Sequence, residues 1–307
     1  MGNKIVVVGS SNTDMIIKVP RIPKPGETIL GGVFATAAGG KGANQAVAAA
    51  RAGGEVGLVA RVGEDMFGEK AVQGFVTDKI DVKHVKKDQK NPSGVALIFV
   101  GADGENSIAV ASGANGTLSP EDVNSARKVI ESADILVLQL EVPLETVQAA
   151  AAVAAKAGVK VILNPAPACP LGDDILKNVS IITPNESEAE LLTGIKVVDE
   201  KSAERAAQVL IGKGIETVLV TLGPKGAWIK TRNISQLVPG FVVKAVDSTA
   251  AGDVFNGALA VTIAEKKPLL EAARFANAAA ALSVTKLGAQ PSAPTRKEIE
   301  NFLKGKN

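Results

Sequence analysis

The 307-residue chain carries 34 basic and 32 acidic side chains, a formal net charge of +2. That near-balance provides no broad cationic field for a nucleic-acid backbone, so a small-molecule partner fits better. A single cysteine and a single histidine exclude a disulfide framework, a thiol zinc site and histidine-based acid-base chemistry, leaving carboxylates to act as any base.

The apolar run Ile5 to Val8 is too short for a signal peptide. No stretch approaches the roughly 18 apolar residues of a membrane span. A myristoylation site fails because Val6 stands where serine or threonine is required. A cytoplasmic protein is expected. The run Ile5 to Val8 reads as a first strand, followed by Gly9-Ser-Ser-Asn12-Thr-Asp14 at its carboxyl end, where open α/β sheets place ligands. Asn12 and Asp14 suit sugar hydroxyls there, though a polar turn would use the same residues. Residues 12 to 40 are rich in proline, glycine and β-branched side chains and show no helical period. Ala38-Gly-Gly-Lys-Gly-Ala-Asn-Gln45 then turns into a helix ending near Gly53. Gly42 after the lysine breaks the Walker pattern, and the spacing does not fit a dinucleotide fingerprint. What remains is a backbone that can approach a polyol closely, with Lys41 and Asn44 as hydrogen-bonding groups.

The basic segment around Lys83, His84, Lys86, Lys87 and Lys90, broken by Asp81 and Asp88, is expected to be a solvated loop. Residues 93 to 112 suggest two strands joined at Ala102-Asp-Gly-Glu105, a hairpin signal. Together with 12 to 40 they would form a small sheet standing off the core as a lid, the rest of the chain (1–11, 41–92 and 113–307) making one domain. So small a sheet needs cover from the core or from a second copy, which makes a homodimer through the lid an expectation. Ser119 and Pro120 open a helix as cap and first residue.

From residue 134 onward, buried strands at 134–140, 159–163, 181–183 and 218–222 alternate with helices, among them an alanine-rich one between Pro143 and Gly158. This rhythm predicts an α/β fold with a mostly parallel sheet covered on both faces. Glu141 lies on the same sheet edge as Asn12. Cys169 reads as a small apolar residue. Thr183-Pro-Asn185-Glu-Ser-Glu188 and Thr221-Leu-Gly-Pro-Lys-Gly226 also follow strands. They could hold magnesium through water and admit a nucleotide against Gly223 and Gly226, or serve as an ordinary helix cap and hairpin turn. In Ala245-Val-Asp247-Ser-Thr-Ala-Ala-Gly252-Asp253 a strand is expected to end and a helix to begin. Its first backbone N–H groups would attract an anion, with Asp253 beside them.

These segments together resemble the ribokinase (PfkB-type) carbohydrate kinase family. The signatures are GGKGANQA at 39 to 46 and DSTAAGDVFNGA at 247 to 258, and GSSNTD, NPAPA, TPNESEAE and GAQPS extend the likeness along essentially the whole chain. The resemblance implies ATP-dependent phosphorylation of the 5-hydroxyl of D-ribose. Asp253 would be the general base, with the N–H groups of Ala251 and Gly252 as anion hole. It implies sugar contacts from Asn12, Asp14, Gly40, Lys41, Asn44, Glu141 and Asp253, and nucleotide contacts from Asn185, Thr221, Gly223, Gly226, Gly252 and Asn277. Glu188 would organise magnesium through water, and potassium would sit among Asp247, Thr249, Ser283, Lys286 (through its carbonyl), Gly288 and Ser292. Asn277 stands where relatives can carry histidine, and Ser248 replaces a common threonine. The rival readings are a fructokinase, a 2-deoxyribose or nucleoside kinase, and a sugar-binding regulator without catalysis. A chain with one Trp and no Tyr offers little to stack a nucleobase.

Overall fold

The computed structural model describes residues 3–103 and 105–305. The first half contains β1 (Lys4–Val8), β2 (Asn12–Lys18), β3 (Val33–Gly39), α1 (Lys41–Arg51), β4 (Glu55–Gly63), α2 (Met66–Thr77), β5 (Asp81–Asp88), β6 (Gly94–Val100) and β7 (Asn106–Ala111). After them come α3 (Pro120–Ser125), α4 (Arg127–Glu131), β8 (Ile135–Leu138), α5 (Leu144–Lys156), β9 (Lys160–Leu163), α6 (Asp173–Leu176) and β10 (Ile181–Ile182). The chain continues through α7 (Glu186–Thr193), α8 (Glu200–Gly212), β11 (Thr217–Thr221), β12 (Gly226–Lys230), β13 (Ser235–Pro239), α9 (Ala251–Ala264), α10 (Leu269–Ser283) and α11 (Arg296–Lys304).

The main sheet runs β13-β12-β11-β10-β9-β8-β1-β4-β5, parallel except for the antiparallel pairs made by β12. Its central strands are apolar beyond their first residues, Lys4 in β1 and Lys160 in β9, because both faces are covered. In β1, Ile5 and Val7 join the core under α1, α9 and α10, while Val6 and Val8 join the opposite core under α5 and α8. The same alternation holds in β8 for Ile135 and Val137 against Leu136 and Leu138. This is the α/β class the sequence predicts.

The chain winds outward from β1 through β4 to β5, then returns to build β8 through β11 on the other side. The direction of winding therefore reverses between β1 and β8, the place where such sheets open a ligand crevice at their carboxyl ends.

A second sheet, β3-β2-β6-β7, stands apart. Its register puts Asp14, Ile16, Ala96, Ile98, Ile108 and Val110 on one face, with Met15, Ile17, Phe34, Leu97 and Phe99 on the other. The hairpin between β6 and β7 forms where Ala102-Asp-Gly-Glu105 suggests, with Glu105 N–H donating to the Asp103 carboxylate at 3.1 Å; Gly104 lies outside the described residues.

Two expectations need correction. Residues 81–88 are not a loop but the edge strand β5, parallel to β4. Val82 and Val85 pack on the core, whereas the lysines face water on an edge, where like charges discourage further strand addition. The segment before Asp247 is not a strand either. Val246 and Asp247 donate their N–H groups to the Val284 carbonyl at the end of α10, at 2.7 and 3.1 Å, and this leaves no ladder for a strand to join.

Candidate active site

The carboxyl ends of β1 and β8 meet the starts of α1 and α9 at this crevice. At its base, α1 begins almost on top of the β1 terminus. A Cβ on Gly42 would lie 2.5 Å from Ser10 N and 2.6 Å from Gly9 C, so only glycine allows the approach. Gly40, at φ 89°, turns the chain from β3 into α1 within similar reach of Asn12 N. Glu141, just past β8, accepts from Lys41 N–H at 2.9 Å and from the Ser10 hydroxyl, tying both strand ends to the helix start.

Opposite them, α9 starts from Ala250, whose left-handed φ of 59° is unusual for a residue with a side chain. Asp253, in the first turn, is 5 % exposed. Its Oδ2 accepts from Asn44 Nδ2 at 3.0 Å and its Oδ1 from Gln45 Nε2 at 2.9 Å. Burial pushes this carboxyl above its usual range; the Lys41 charge and the two amides oppose the rise and Glu141 adds to it. Asp14 is pushed up to about 6, chiefly by burial and further by Glu141 and Asp253. Lys41 is held above its usual value despite burial, because Asp253, Glu141 and Glu188 surround it. Asp14, Lys41, Asn44, Glu141 and Asp253 thus form one electrostatic unit. Asn44 Oδ1 is buried and has no partner among the described residues, leaving an acceptor for a hydroxyl donor.

Asn12 is placed differently from a free ligand. Its side-chain carbonyl accepts from Asn115 Nδ2 at 2.7 Å, and Asn115 also brackets the Ser11 backbone.

Along the sheet edge, Asn185 caps α7 and pairs with Thr221 in a short parallel bridge. Both Glu188 oxygens are engaged by Asn185, through its N–H and its amide, each at 2.9 Å. Burial raises the Glu188 carboxyl, with the Asn185 N–H and Lys41 opposing. A first-turn carboxylate beside Lys41 and Asp253 suits an ion that keeps its water shell. Gly223 and Gly226 form the turn between antiparallel β11 and β12, at φ 54° and 106°. Asn277 of α10 donates to the Val238 and Pro239 carbonyls, next to Gly226 in the β12–β13 register. Gly252 has open space where a side chain would point, so nothing obstructs a ligand at the α9 start.

Of the six residues expected around a monovalent cation, three come together directly: Asp247 accepts from Thr249 N–H and hydroxyl, at 2.9 and 2.6 Å, and from Gly288 N–H at 2.8 Å. These bonds outweigh burial and lower the Asp247 carboxyl. Ser283 closes α10 next to Val284, which binds this loop; Ser283 and Ser292 turn their hydroxyls to the Ala280 and Ala289 carbonyls. The Lys286 ammonium points away to Glu298, leaving its carbonyl as the only group it could offer. The donor set, oxygen-rich with one carboxylate, suits a hard monovalent cation.

Residues 3–296 match the profile of the pfkB family carbohydrate kinases. The chain belongs to that family. A ribokinase of Haemophilus influenzae is 49 % identical over 99 % of both chains, and a deoxyribokinase of Salmonella typhi is 40 % identical over 97 % of this chain and 98 % of its own. The structure of Arabidopsis thaliana ribokinase complexed with ribose and ATP superposes with a TM-score of 0.92 at 36 % identity, covering 99 % of each chain. As a pfkB carbohydrate kinase, the chain carries both glycine-rich segments at the same crevice.

Sequence reasoning missed Gln45, Gln139, Asn115 and Asn164. Gln45 sits inside the first signature but reads there as one more polar helix residue, and the others are single amides far apart in the chain.

Proposed function

We propose that the protein transfers the γ-phosphoryl group of ATP to the 5-hydroxyl of D-ribose. The observation that carries this reading is a buried carboxylate, Asp253, gripped by two amides in the first turn of a helix whose start is open to a ligand. Asp253 takes the hydroxyl proton as the oxygen attacks the γ-phosphorus and ADP leaves. The N–H groups of Ala251 and Gly252 face the charge that builds on the transferring group. Asn12, Asp14, Gly40, Lys41, Asn44 and Glu141 hold the sugar; the unpartnered Asn44 oxygen supports that assignment. Asn185, Thr221, Gly223, Gly226 and Asn277 receive the nucleotide. Glu188 would hold magnesium through water, and that ion would supply charge neutralisation on the phosphates; the Asp247 loop would hold potassium. The setting is cytoplasmic.

The lid supports a homodimer, since Phe34, Leu97, Ile108 and Val110 on it stay exposed within one chain. Sedimentation of a Leu97→Glu variant as a stable dimer would count against this assembly.

The test of function is ADP release with ATP, magnesium and potassium, run in parallel on D-ribose, 2-deoxy-D-ribose, D-fructose and adenosine. Ribose-selective turnover is expected. Preference for 2-deoxyribose, the activity named by the Salmonella relative, would move the specificity within the family, and sugar binding without turnover would leave a regulator. Asp253→Asn should keep ribose binding and lose about 10²–10⁴-fold in turnover.

A further inference from the structure

The Asp253 carboxylate is the visible end of a buried chain of amides. Gln45 Nε2 donates to Asp253 Oδ1 at 2.9 Å and to Asn164 Oδ1 at 3.1 Å, while Gln45 Oε1 accepts from Gln139 Nε2 at 2.6 Å. Asn164 in turn donates to the Thr183 carbonyl at 3.4 Å. The Thr183 hydroxyl donates to Asn256 Oδ1 at 2.7 Å, and Asn256 Nδ2 donates to the Gly252 carbonyl at 2.8 Å. The path starts on α9, crosses α1 and the ends of β8, β9 and β10, and returns to α9. Gln45 and Gln139 are 0 % and 1 % exposed, so water cannot substitute for a lost partner.

The orientation of Gln45 follows from this arrangement. Both protons of its amide have acceptors, one of them the carboxylate, and its oxygen has a donor in Gln139. Turning the amide over would set its oxygen against Asp253 and its nitrogen against Gln139, costing all three bonds. Gln139 Oε1 has no partner among the described residues and lies where Gly9 would carry a Cβ, at 2.1 Å from that position. Gly9 therefore leaves room for Gln139 to aim its nitrogen at Gln45.

We infer that Gln45, oriented by Gln139 and Asn164, is the positioning residue that fixes the rotation of the Asp253 carboxylate for proton transfer. This rests on Asp253 being the base. It explains a polar network, otherwise costly to bury, at a place where the fold alone would be served by apolar packing.

The test uses Gln45→Met and Gln139→Met, which keep an unbranched chain of similar length. Steady-state kinetics with ATP and magnesium, saturating in ribose, are followed from pH 5 to 9, with ribose KM and thermal unfolding measured alongside. Loss of a donor to the charged form should move the acidic limb of kcat upward by about one pH unit in Gln45→Met and lower kcat about tenfold at neutral pH. Ribose KM should stay within about twofold, because the sugar contacts are untouched. Gln139→Met should shift both in the same direction by less. Lys41, Asp14, Glu141 and Glu188, which also act electrostatically on this site, are unchanged in both variants. A folded Gln45→Met enzyme with wild-type kcat and acidic limb would overturn the inference, and if it does not fold, Gln139→Met decides on the same readouts. Asp253→Asn, measured in parallel, separates the two ideas. Its undiminished turnover would sink the base itself, whereas its inactivity beside an unaltered Gln45→Met would sink only the positioning role.

Discussion

Gly42→Ala adds one methyl group and should disable the enzyme out of proportion to its size. The new Cβ would meet Ser10 N at 2.5 Å, Gly9 C at 2.6 Å and Gly9 Cα at 2.8 Å, all backbone atoms that cannot swing aside. Ordinary contact begins near 3.4 Å, so the start of α1 must retreat from β1 by ~1 Å. That retreat stretches three bonds at once: Ala43 N–H to Ser10 O at 2.8 Å, Lys41 N–H to Glu141 at 2.9 Å and Gly42 N–H to the Ser10 hydroxyl at 3.3 Å. Overpacking of this kind costs about 1–3 kcal/mol. The same displacement carries Lys41 and Asn44 away from Glu141 and the end of β1, and a shift of about 1 Å is worth on the order of 10²-fold in kcat/KM. Urea unfolding and the ADP assay read the two effects. Gly212→Ala, at the end of α8 with nothing within 4 Å of its Cβ, should leave kcat/KM unchanged and stability unchanged or raised by about 0.4–1 kcal/mol, and serves as the control. A Gly42→Ala protein with wild-type stability and kcat/KM would show that the backbone contact at this crossing is not what builds the site.

Asp14, pushed up to about 6, should lose its charge as the pH falls through that value. Ribose affinity measured calorimetrically should then weaken below about pH 6 and stay flat in Asp14→Asn; an unchanged wild-type affinity down to pH 5 would contradict it. The sign for stability is opposite to that of a paired carboxylate. A folded value above the unfolded one means this group penalises folding at high pH, and the penalty fades as the pH drops through 6 toward 4. Arg61 bonds Asp122 at 2.7 Å and Asp88 at 3.2 Å, so Arg61→Met should cost about 2–4 kcal/mol in urea unfolding at pH 7. Asp122 resists burial through Arg61 and Lys86 and titrates below its usual range. Its stabilisation is present above the ordinary carboxylate value and lost as the pH falls through the folded one, so the gap between wild type and variant should narrow below about pH 4. Turnover should be higher in potassium than in sodium, and Asp247→Ala should abolish the difference; equal wild-type rates in both salts would argue against a cation at that loop.

Much of the scaffold was legible because parallel strands buried on both faces leave continuous apolar runs such as Ile135 to Leu138, and helix boundaries leave caps such as Ser119 and Asn185. β5 escaped because an edge strand buries little: Val82 and Val85 are its apolar anchors among lysines, a pattern that composition alone cannot tell from a loop. The segment before Asp247 misled in the other direction, since β-branched residues suggest a strand only where a neighbour exists to pair with. Within the site, the signatures pointed to α1 and α9, yet the Gln139–Gln45–Asn164 path was invisible. Its members are ordinary amides at positions 139, 45 and 164, and only the convergence of the β8 and β9 ends on α1 links them to one carboxylate.

One contact just behind the site bears on how this enzyme could change. A Cβ on Gly257 would lie 2.7 Å from Ala48 Cβ, Ala49 N and Gln45 O, so α9 and α1 meet backbone to backbone along a seam of alanines. The helix bearing Lys41 and Asn44 and the helix bearing Asp253 therefore behave as one casting. A substitution that reshapes one displaces the other, so selection acting through this seam would alter both the sugar contacts and the base proposed above. The small sheet proposed as a lid hangs outside that casting, attached where β2, β3 and β6 begin or end. In that role it would be the part of the pocket wall that sequence drift can reshape while α1 and α9 stand still.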